Sequence, residues 1–486
     1  MQRRTFLKTV GVGAGAALTS GLVTSAWAQP AGANGDIRVA VIGLNIKGAE
    51  HVKHLVTLPG ARVVALCDVD GRILAREVEL LKARQVSVFA TTDARAIMDR
   101  NDIDAVVLAT SDQWHALHTI WALQAGKDVY VEKPVCRTIW EGQRMLAAAA
   151  RYGRIVQAGT QSRSDPGKAE AVKVIKEGRL GRIQWIHSLC YRRREPIGLK
   201  LPWYPDWLDY DRFCGPSAMT PLARNQLHYD WHWQWTTGGG DLANIGVHQL
   251  DVARWFAGDP ALPSRVMSFG GRYVVNDAGE TPNTQLAVYD FPEFPVCFEI
   301  RGLPEKPGVK AMGNARGLRE GVIVQCEHGY YSGYFGGALY DNDGKRLTSI
   351  PGDGGEGHMA NFLAAVRSRR AADLAAPLEC GFISSATCHL GNISWRSGRT
   401  AGNEEIGQAL NGYPMAQELF GQMQKHLAVH GVELTRTPFT LGPWLKIDTP
   451  NAGIAAVGGG DPAVLEHARF LLKDTQRPPY QIPETL

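Results

Sequence analysis

Short apolar runs separated by amphipathic stretches of helix length fill the first third of the chain. The runs at 37–42, 62–66, 105–108, 128–131 and 155–158 are rich in β-branched residues and lack the strict in-and-out alternation of a half-exposed sheet. Strands buried on both faces read this way, so the pattern predicts a parallel sheet with crossover helices, a doubly wound Rossmann α/β domain over 36–160. The pattern then changes. A helix is predicted over 168–177, closed by Gly178, followed by strands at 183–191, 285–291 and 296–300. Residues 357–369 and 381–396 return to helical spacing, and Pro-rich chain with little periodicity runs on from Thr435. Residues 161–486 are therefore expected to form an α+β domain with an open, mainly antiparallel sheet, decorated by an aromatic- and Pro-rich insertion at 202–236.

Composition changes this picture little. A chain of 486 residues exceeds one hydrophobic core, which agrees with two domains. Lys+Arg (52) exceed Asp+Glu (48) by only 4, and the cations are scattered, which excludes nucleic acid as a partner. The eight cysteines form no C-x-x-C pair, so neither disulfides nor a zinc site is expected, and no metal is assigned.

The amino terminus adds a compartment. Arg3-Arg4-Thr5-Phe6-Leu7-Lys8 precedes a Gly/Ala-rich apolar stretch to Ser25 and then Ala26-Trp27-Ala28. This reads as a twin-arginine export signal, 1–28, cut after Ala28; the stretch is too short and too Gly-rich to span a bilayer. The expectation is a periplasmic or exported protein that passes the twin-arginine machinery already folded.

The chemistry begins where the first strand meets Gly43-Leu44-Asn45-Ile46-Lys47-Gly48. In a dinucleotide fold the first glycine makes the tight turn, a second lets backbone approach the pyrophosphate, and the last lets helix pack on strand. Asn45 stands where the second glycine belongs, and asparagine tolerates left-handed backbone. Asp68, ending the second strand, is placed to accept the ribose hydroxyls, which favours NAD; Arg72 leaves NADP open, because a guanidinium there pairs with a 2′-phosphate. Thr110, Ser111 and Asp112 end another parallel strand, where ligands of such sheets lie. Trp114 and His115 follow, either walling the nicotinamide pocket or capping the next helix.

Two further motifs carry a resemblance. Tyr130-Val131-Glu132-Lys133-Pro134 resembles the E-K-P motif of the glucose–fructose oxidoreductase, inositol dehydrogenase and MocA (Gfo/Idh/MocA) family, and the run Gly238–His248 resembles its second signature. The resemblance implies a sugar oxidoreductase in which Glu132 and Lys133 adjoin the cofactor, Lys133 points at substrate hydroxyl and nicotinamide, and His248 is the acid/base. These roles suit the residue types: an alcohol yields hydride as its proton leaves, histidine takes protons near neutral pH, and an ammonium stabilises a developing alkoxide. The family also implies an oligomer formed through the second domain. One position departs from it. Asn244 replaces the aspartate usual four residues before the histidine, so the proton relay falls to Asp241, to Asp251 or to His248 alone.

Leu227-His228-Tyr229-Asp230-Trp231-His232-Trp233 alternates aromatic and polar residues. An extended chain there would show a Trp231/Trp233 face and a His228/His232 face. Such a surface suits a carbohydrate; the alternatives are an aromatic clamp holding the insertion, or a metal on the two histidines. Asn244, His248, Trp231, Trp233 and His228 are thus expected at the substrate. Export imposes a last expectation. Free dinucleotide is scarce outside the cytoplasm, so NAD(P) should stay tightly bound and be reset in place. A second substrate can do this, as in glucose–fructose oxidoreductase, or a single redox-neutral cycle, as in NAD-dependent glycosidases of the superfamily. Lys133, which related exported α-N-acetylgalactosaminidases replace, favours the oxidoreductase; a catalytically silent sugar-binding protein is the third class.

Overall fold

A computed structural model describes residues 35–449 and 452–485; the export signal expected at 1–28 lies outside the described residues. The first sheet is parallel, with strands β1 (Ile37–Ile42), β2 (Ala61–Cys67), β3 (Phe89–Thr91), β4 (Ala105–Leu108), β5 (Asp128–Glu132) and β6 (Val156–Gly159) in the order β3-β2-β1-β4-β5-β6. The order reverses between β1 and β4, and in such sheets ligands bind beyond the strand ends at that switch point. Strands β4, β5 and β6 are buried along their whole length, which is why they read as unbroken apolar runs.

The second sheet has 12 strands among the described residues. It continues the numbering with β7 (Ile183–Tyr191), β8 (Arg265–Gly271), β9 (Thr284–Asp290), β10 (Pro295–Arg301), β11 (Glu320–Cys326), β12 (Gly329–Gly333) and β13 (Gly337–Tyr340). Its pairs are antiparallel except β7 with β10. Helices Gly246–Phe256 and Leu378–Arg396 lie on the inner face, in one core with the facing helices of the first domain. The other face is not bare over β8–β10. Met267, Phe269, Leu286 and Val288 pack there against Ile406, Met415, Leu419 and Phe420 of helices Asn403–Ala409 and Pro414–Val429.

Three features differ from the sequence pattern. Helix His358–Ser368 puts Met359, Phe362 and Leu363 into the core beneath β1, β2 and β4, so a late segment completes the first domain. The stretch from Thr435, Pro-rich and with little periodicity, forms three short strands and a helix at Pro462–Phe470. Asp461 caps that helix by accepting from the amides of Ala463 and Val464, with Pro462 in its first turn. The insertion, finally, docks across the first domain rather than standing off the second. The Trp114 indole donates to the carbonyls of Arg212 (3.0 Å) and Phe213 (3.1 Å), and a Cβ on Gly215 would lie 2.2 Å from that ring.

The two halves are joined by a buried ion pair. Arg163, after β6, donates to both oxygens of Asp251 on helix Gly246–Phe256 (2.8 and 3.0 Å), and Asp251 is fully buried. Removing one partner strands the other charge, so Arg163→Ala is expected to destabilise the fold by about 3–5 kcal/mol, read as a lowered urea midpoint; an unchanged midpoint would mean the pair contributes nothing net.

Candidate functional site: a dinucleotide cleft between the domains

The glycine loop is built as its first and last glycines require. Gly43 has φ 84°, and a Cβ there would lie 2.6 Å from the backbone of Ala109 at the end of β4. On Gly48 a Cβ would lie 1.7 Å from the Gly43 carbonyl oxygen, so only glycine lets helix Lys47–Leu55 start so close over the turn. Asn45 does not carry the left-handed conformation expected of it. The positive φ falls instead on its neighbour Ile46, at 39°, which is 56% exposed and faces the cleft. A β-branched residue in that region is strained, and such strain collects at ligand-holding loops.

Around this loop lies a cavity of about 670 Å³, and its walls contain polar groups left for a ligand. The Thr110 hydroxyl is buried without a hydrogen-bond partner, while Ser111 begins helix Asp112–Gln124. Asp68 accepts from the amides of Leu44 (2.7 Å) and Asp70 (2.9 Å), which ties β2 to the glycine loop and leaves lone pairs on both oxygens. Burial pushes its carboxyl up, against those two bonds. The glycine cradle, the orphaned hydroxyl and the acidic strand end fit a dinucleotide: pyrophosphate over the loop, ribose at Asp68.

Arg72 is not free for a 2′-phosphate. Its guanidinium clasps Asp70 (2.8 and 3.0 Å) and lies 3.6 Å from the centre of the Trp207 ring. Asp70 also meets His228 Nε2 at 2.9 Å. Burial works against the Asp70 carboxylate, yet Arg72 and His228 hold it down at about 2. His228, expected at the substrate, therefore sits at the β2 end, on the ribose side.

At the end of β5 the E-K-P residues divide their work. Glu132 meets His51 Nε2 (2.8 Å) and accepts from Gln161 (2.9 Å). Burial opposes its charge, but the His51 bond and the Lys47 and Lys133 ammoniums hold it well below the usual carboxylate range. Lys133 Nζ reaches across to helix Gly240–Asn244, donating to the Asn244 carbonyl (2.7 Å) and its side-chain oxygen (3.0 Å). Burial pulls its ammonium down, against the Glu132 and Asp112 carboxylates. Two of its three protons are spoken for, and the third is available to a ligand.

His248, on the first turn of helix Gly246–Phe256, lines the same cleft, and among the described residues no group hydrogen-bonds to its ring. Burial and then the Lys133 ammonium push it down to about 3, so it enters neutral solution as a proton acceptor. His115 lies behind: its ring nitrogens face the carbonyls of Pro134 (2.6 Å) and Thr110 (3.0 Å), bracing the ends of β4 and β5. Of the two readings open for Trp114 and His115, both residues line the cleft and both also fix structure.

Three sequence expectations are corrected. Asp241 points away from the cleft into an ion pair with Arg194 (2.9 Å for Nε to Oδ2), and Asp251 is held by Arg163, so neither serves a relay and His248 stands alone. The run at 228–235 is not extended. Tyr229 has φ 66° and Asp230–Trp233 is a 3₁₀ turn, which breaks the alternation. Trp233 is consequently buried beside the Arg194 guanidinium, outside the cleft, whereas Trp231, stacked on His232 with centroids 3.6 Å apart, stays within it.

Other cleft residues carried no sequence signal. Lys47 of the glycine loop pairs with Glu50 (2.9 Å). Tyr334 and Phe335, at the turn between β12 and β13, are stacked on each other and exposed at the cleft mouth. Tyr480 enters from the tail.

Fold and cleft together place a Rossmann-type parallel sheet, a second mainly antiparallel sheet and a cleft that fits a dinucleotide in one chain. Residues 37–160 match the model described as oxidoreductase family, NAD-binding Rossmann fold, and residues 217–299 match the GFO/IDH/MocA C-terminal domain. The two matched stretches are similar to the paired domains of the Gfo/Idh/MocA family. It is 32% identical over 225 residues to inositol 2-dehydrogenase 2 of Saccharopolyspora erythraea, a match covering 46% of this chain and 54% of that protein. To a glycosyl hydrolase family 109 protein of Shewanella pealeana it is 28% identical over 231 residues, 43% of this chain and 51% of that one. The chain thus spans about half the length of the curated relatives it matches. Among solved structures, levoglucosan dehydrogenase with NADH and levoglucosan superposes at TM-score 0.55 with 19% identity, covering 73% of this chain and 96% of that one. The aldose-aldose oxidoreductase of Caulobacter crescentus gives TM-score 0.54 at 18% identity, covering 72% and 94%.

Proposed function

We propose that this protein is an NAD(P)-dependent oxidoreductase acting on a hydroxyl of a sugar or sugar derivative, with NAD the preferred cofactor and held tightly. One observation carries the reading: a lysine with a spare proton and a neutral, unpartnered histidine face one cleft beside a glycine cradle. The nicotinamide, when bound, supplies the hydride acceptor. Lys133 donates to the substrate oxygen and stabilises the charge that grows there, while His248 takes the hydroxyl proton. Asn244 orients the Lys133 ammonium through its carbonyl and amide oxygens and does not itself move a proton. Asp68 and the Asp70–Arg72 clasp favour a free 2′-hydroxyl over a 2′-phosphate, which supports NAD. The twin-arginine motif supports export with the cofactor loaded, and the sugar-named relatives support the substrate class.

The test is product chemistry. Purified protein, a panel of sugars and glycosides, and a second sugar as acceptor should give an oxidised sugar and a reduced acceptor in equal amounts. Release of aglycone with no oxidised product would instead assign a redox-neutral glycosidase, the reading that the hydrolase relative favours. Asn244→Asp provides a sharper probe. If the Lys133 ammonium is required, activity falls as pH rises through its lowered pKa. A carboxylate 3 Å away favours the charged form, so the alkaline limb should move up by about one pH unit or more; an unmoved limb would remove Lys133 from that role.

A further inference from the structure

The cleft continues past Lys133 and His248 to the ends of β2, β3 and β4. Its far wall there includes Arg95, Trp114, Trp121 and Tyr480. The Arg95 guanidinium stands 5.2 Å from the Trp121 ring and 5.6 Å from that of Tyr480, and Trp114 meets Tyr480 edge to face at 5.3 Å. Tyr480 belongs to the carboxyl-terminal tail, yet it is only 6% exposed. The reason is a latch. Arg477 donates to Asp211 Oδ1 (2.5 Å) and to the Asp211 carbonyl (3.0 Å), and the Tyr480 hydroxyl donates to Asp211 Oδ2 (2.9 Å). The Arg477 amide and side chain also reach the carbonyls of Pro216 (2.8 Å) and Ser217 (3.2 Å).

Asp211 lies in the insertion, which is itself pinned to the first domain. Gln113 and Trp114 both donate to the Phe213 carbonyl (3.0 and 3.1 Å), and Arg212 pairs with Asp93 at 3.4 Å. Tail and insertion therefore meet over the half of the cleft that runs from Asp68 toward the sheet edge, opposite the Lys133 end. A flat wall of aromatic rings beside a guanidinium suits an adenine ring, whose faces stack and whose π-system attracts the cation. The tail's contacts at Asp211, Pro216, Ser217 and the Trp114 ring all lie at this end of the cleft.

We propose that the tail 477–482 and the insertion form a clasp closed at Asp211 over the adenosine half of the dinucleotide, with Tyr480 and Arg95 contacting the adenine. The clasp rests on the reading that the cleft holds such a cofactor and accounts for its staying bound. Release requires the Asp211 contacts to break first, so the effect falls on the dissociation rate. It also separates the halves of the ligand: the nicotinamide end lies beyond the clasp's reach.

The test uses the whole purified chain. Fluorescence of bound NADH, chased with excess NAD, gives the release rate for the wild type, Arg477→Ala, Tyr480→Ala and Tyr480→Phe. Arg477→Ala and Tyr480→Ala should release NADH about tenfold faster or more, with Tyr480→Phe between, since it keeps the ring and loses the latch bond. Both alanine variants should weaken ADP-ribose and leave nicotinamide mononucleotide unaffected. Wild-type release rates in the folded Tyr480→Phe and Arg477→Ala proteins, or equal weakening of both half-ligands, would overturn the clasp. A wild type that binds neither NADH nor ADP-ribose would overturn the cofactor reading itself, a distinct result seen before any variant is made.

Discussion

Lys133→Ala should lower turnover by at least about 100-fold, because one side chain supplies both the charge facing the substrate oxygen and the bridge to Asn244. The loss should appear in kcat rather than KM, since the ammonium does most where charge grows during reaction. His248→Ala should cost about as much, and the double variant little more than either alone, because the two act on one hydroxyl. The change at position 133 leaves Asn244 in contact with the cleft rather than sealed in a core, so folding should survive. Steady-state kinetics on the two single variants decide it; turnover within about threefold of wild type in both would dismiss the assigned roles.

Gly48→Ala should abolish dinucleotide binding while the protein still folds. The added Cβ would sit 1.7 Å from the Gly43 carbonyl oxygen, far inside van der Waals contact, and the obstacle is backbone that no rotamer change relieves. The helix start must retreat from the turn, and the amides over the pyrophosphate retreat with it. A loss of about 100-fold or more in NADH affinity is expected by fluorescence titration, equivalent to about 2.8 kcal/mol. Asn45→Gly is the counterpart. Asn45 has no left-handed strain to relieve, so that change should alter affinity by less than about threefold, and a large gain would return the strain to position 45.

Much of this was legible in the sequence for identifiable reasons. The buried parallel strands leave apolar runs that need no alternation, and β7 was bounded at Ile183 and Tyr191 from its pattern. Gly43 and Gly48 were legible because their lack of a side chain is the very property the turn uses. The E-K-P lysine and the Gly238–His248 histidine were carried by resemblance, and they do converge. What sequence could not give was pairing across distance. Nothing near Asp241 announces Arg194, and nothing near Asp251 announces Arg163, so two carboxylates close to the histidine in sequence passed as relay candidates.

Backbone conformation at non-glycine residues was equally hidden. The left-handed φ values of Ile46 and Tyr229 are imposed by surroundings, and the second turned an apparent strand into a 3₁₀ turn that sends Trp233 and Trp231 to different places. The helix at Pro462–Phe470 is a different kind of miss. Asp461-Pro462 is a helix-start signal, but the Pro-rich chain around it carries too little periodicity to show a helix. Tyr480 had no local signal, since its place in the cleft depends on Asp211 in a remote segment.

Hydride transfer from a sugar hydroxyl to a dinucleotide that stays in the cleft is read by absorbance at about 340 nm on the purified protein without added cofactor. The expected result is a band that rises on adding a reactive sugar, persists through gel filtration with the protein, and collapses when an acceptor sugar is supplied. No band with any sugar, in protein containing no extractable nicotinamide and unresponsive to added NAD or NADP, would contradict it.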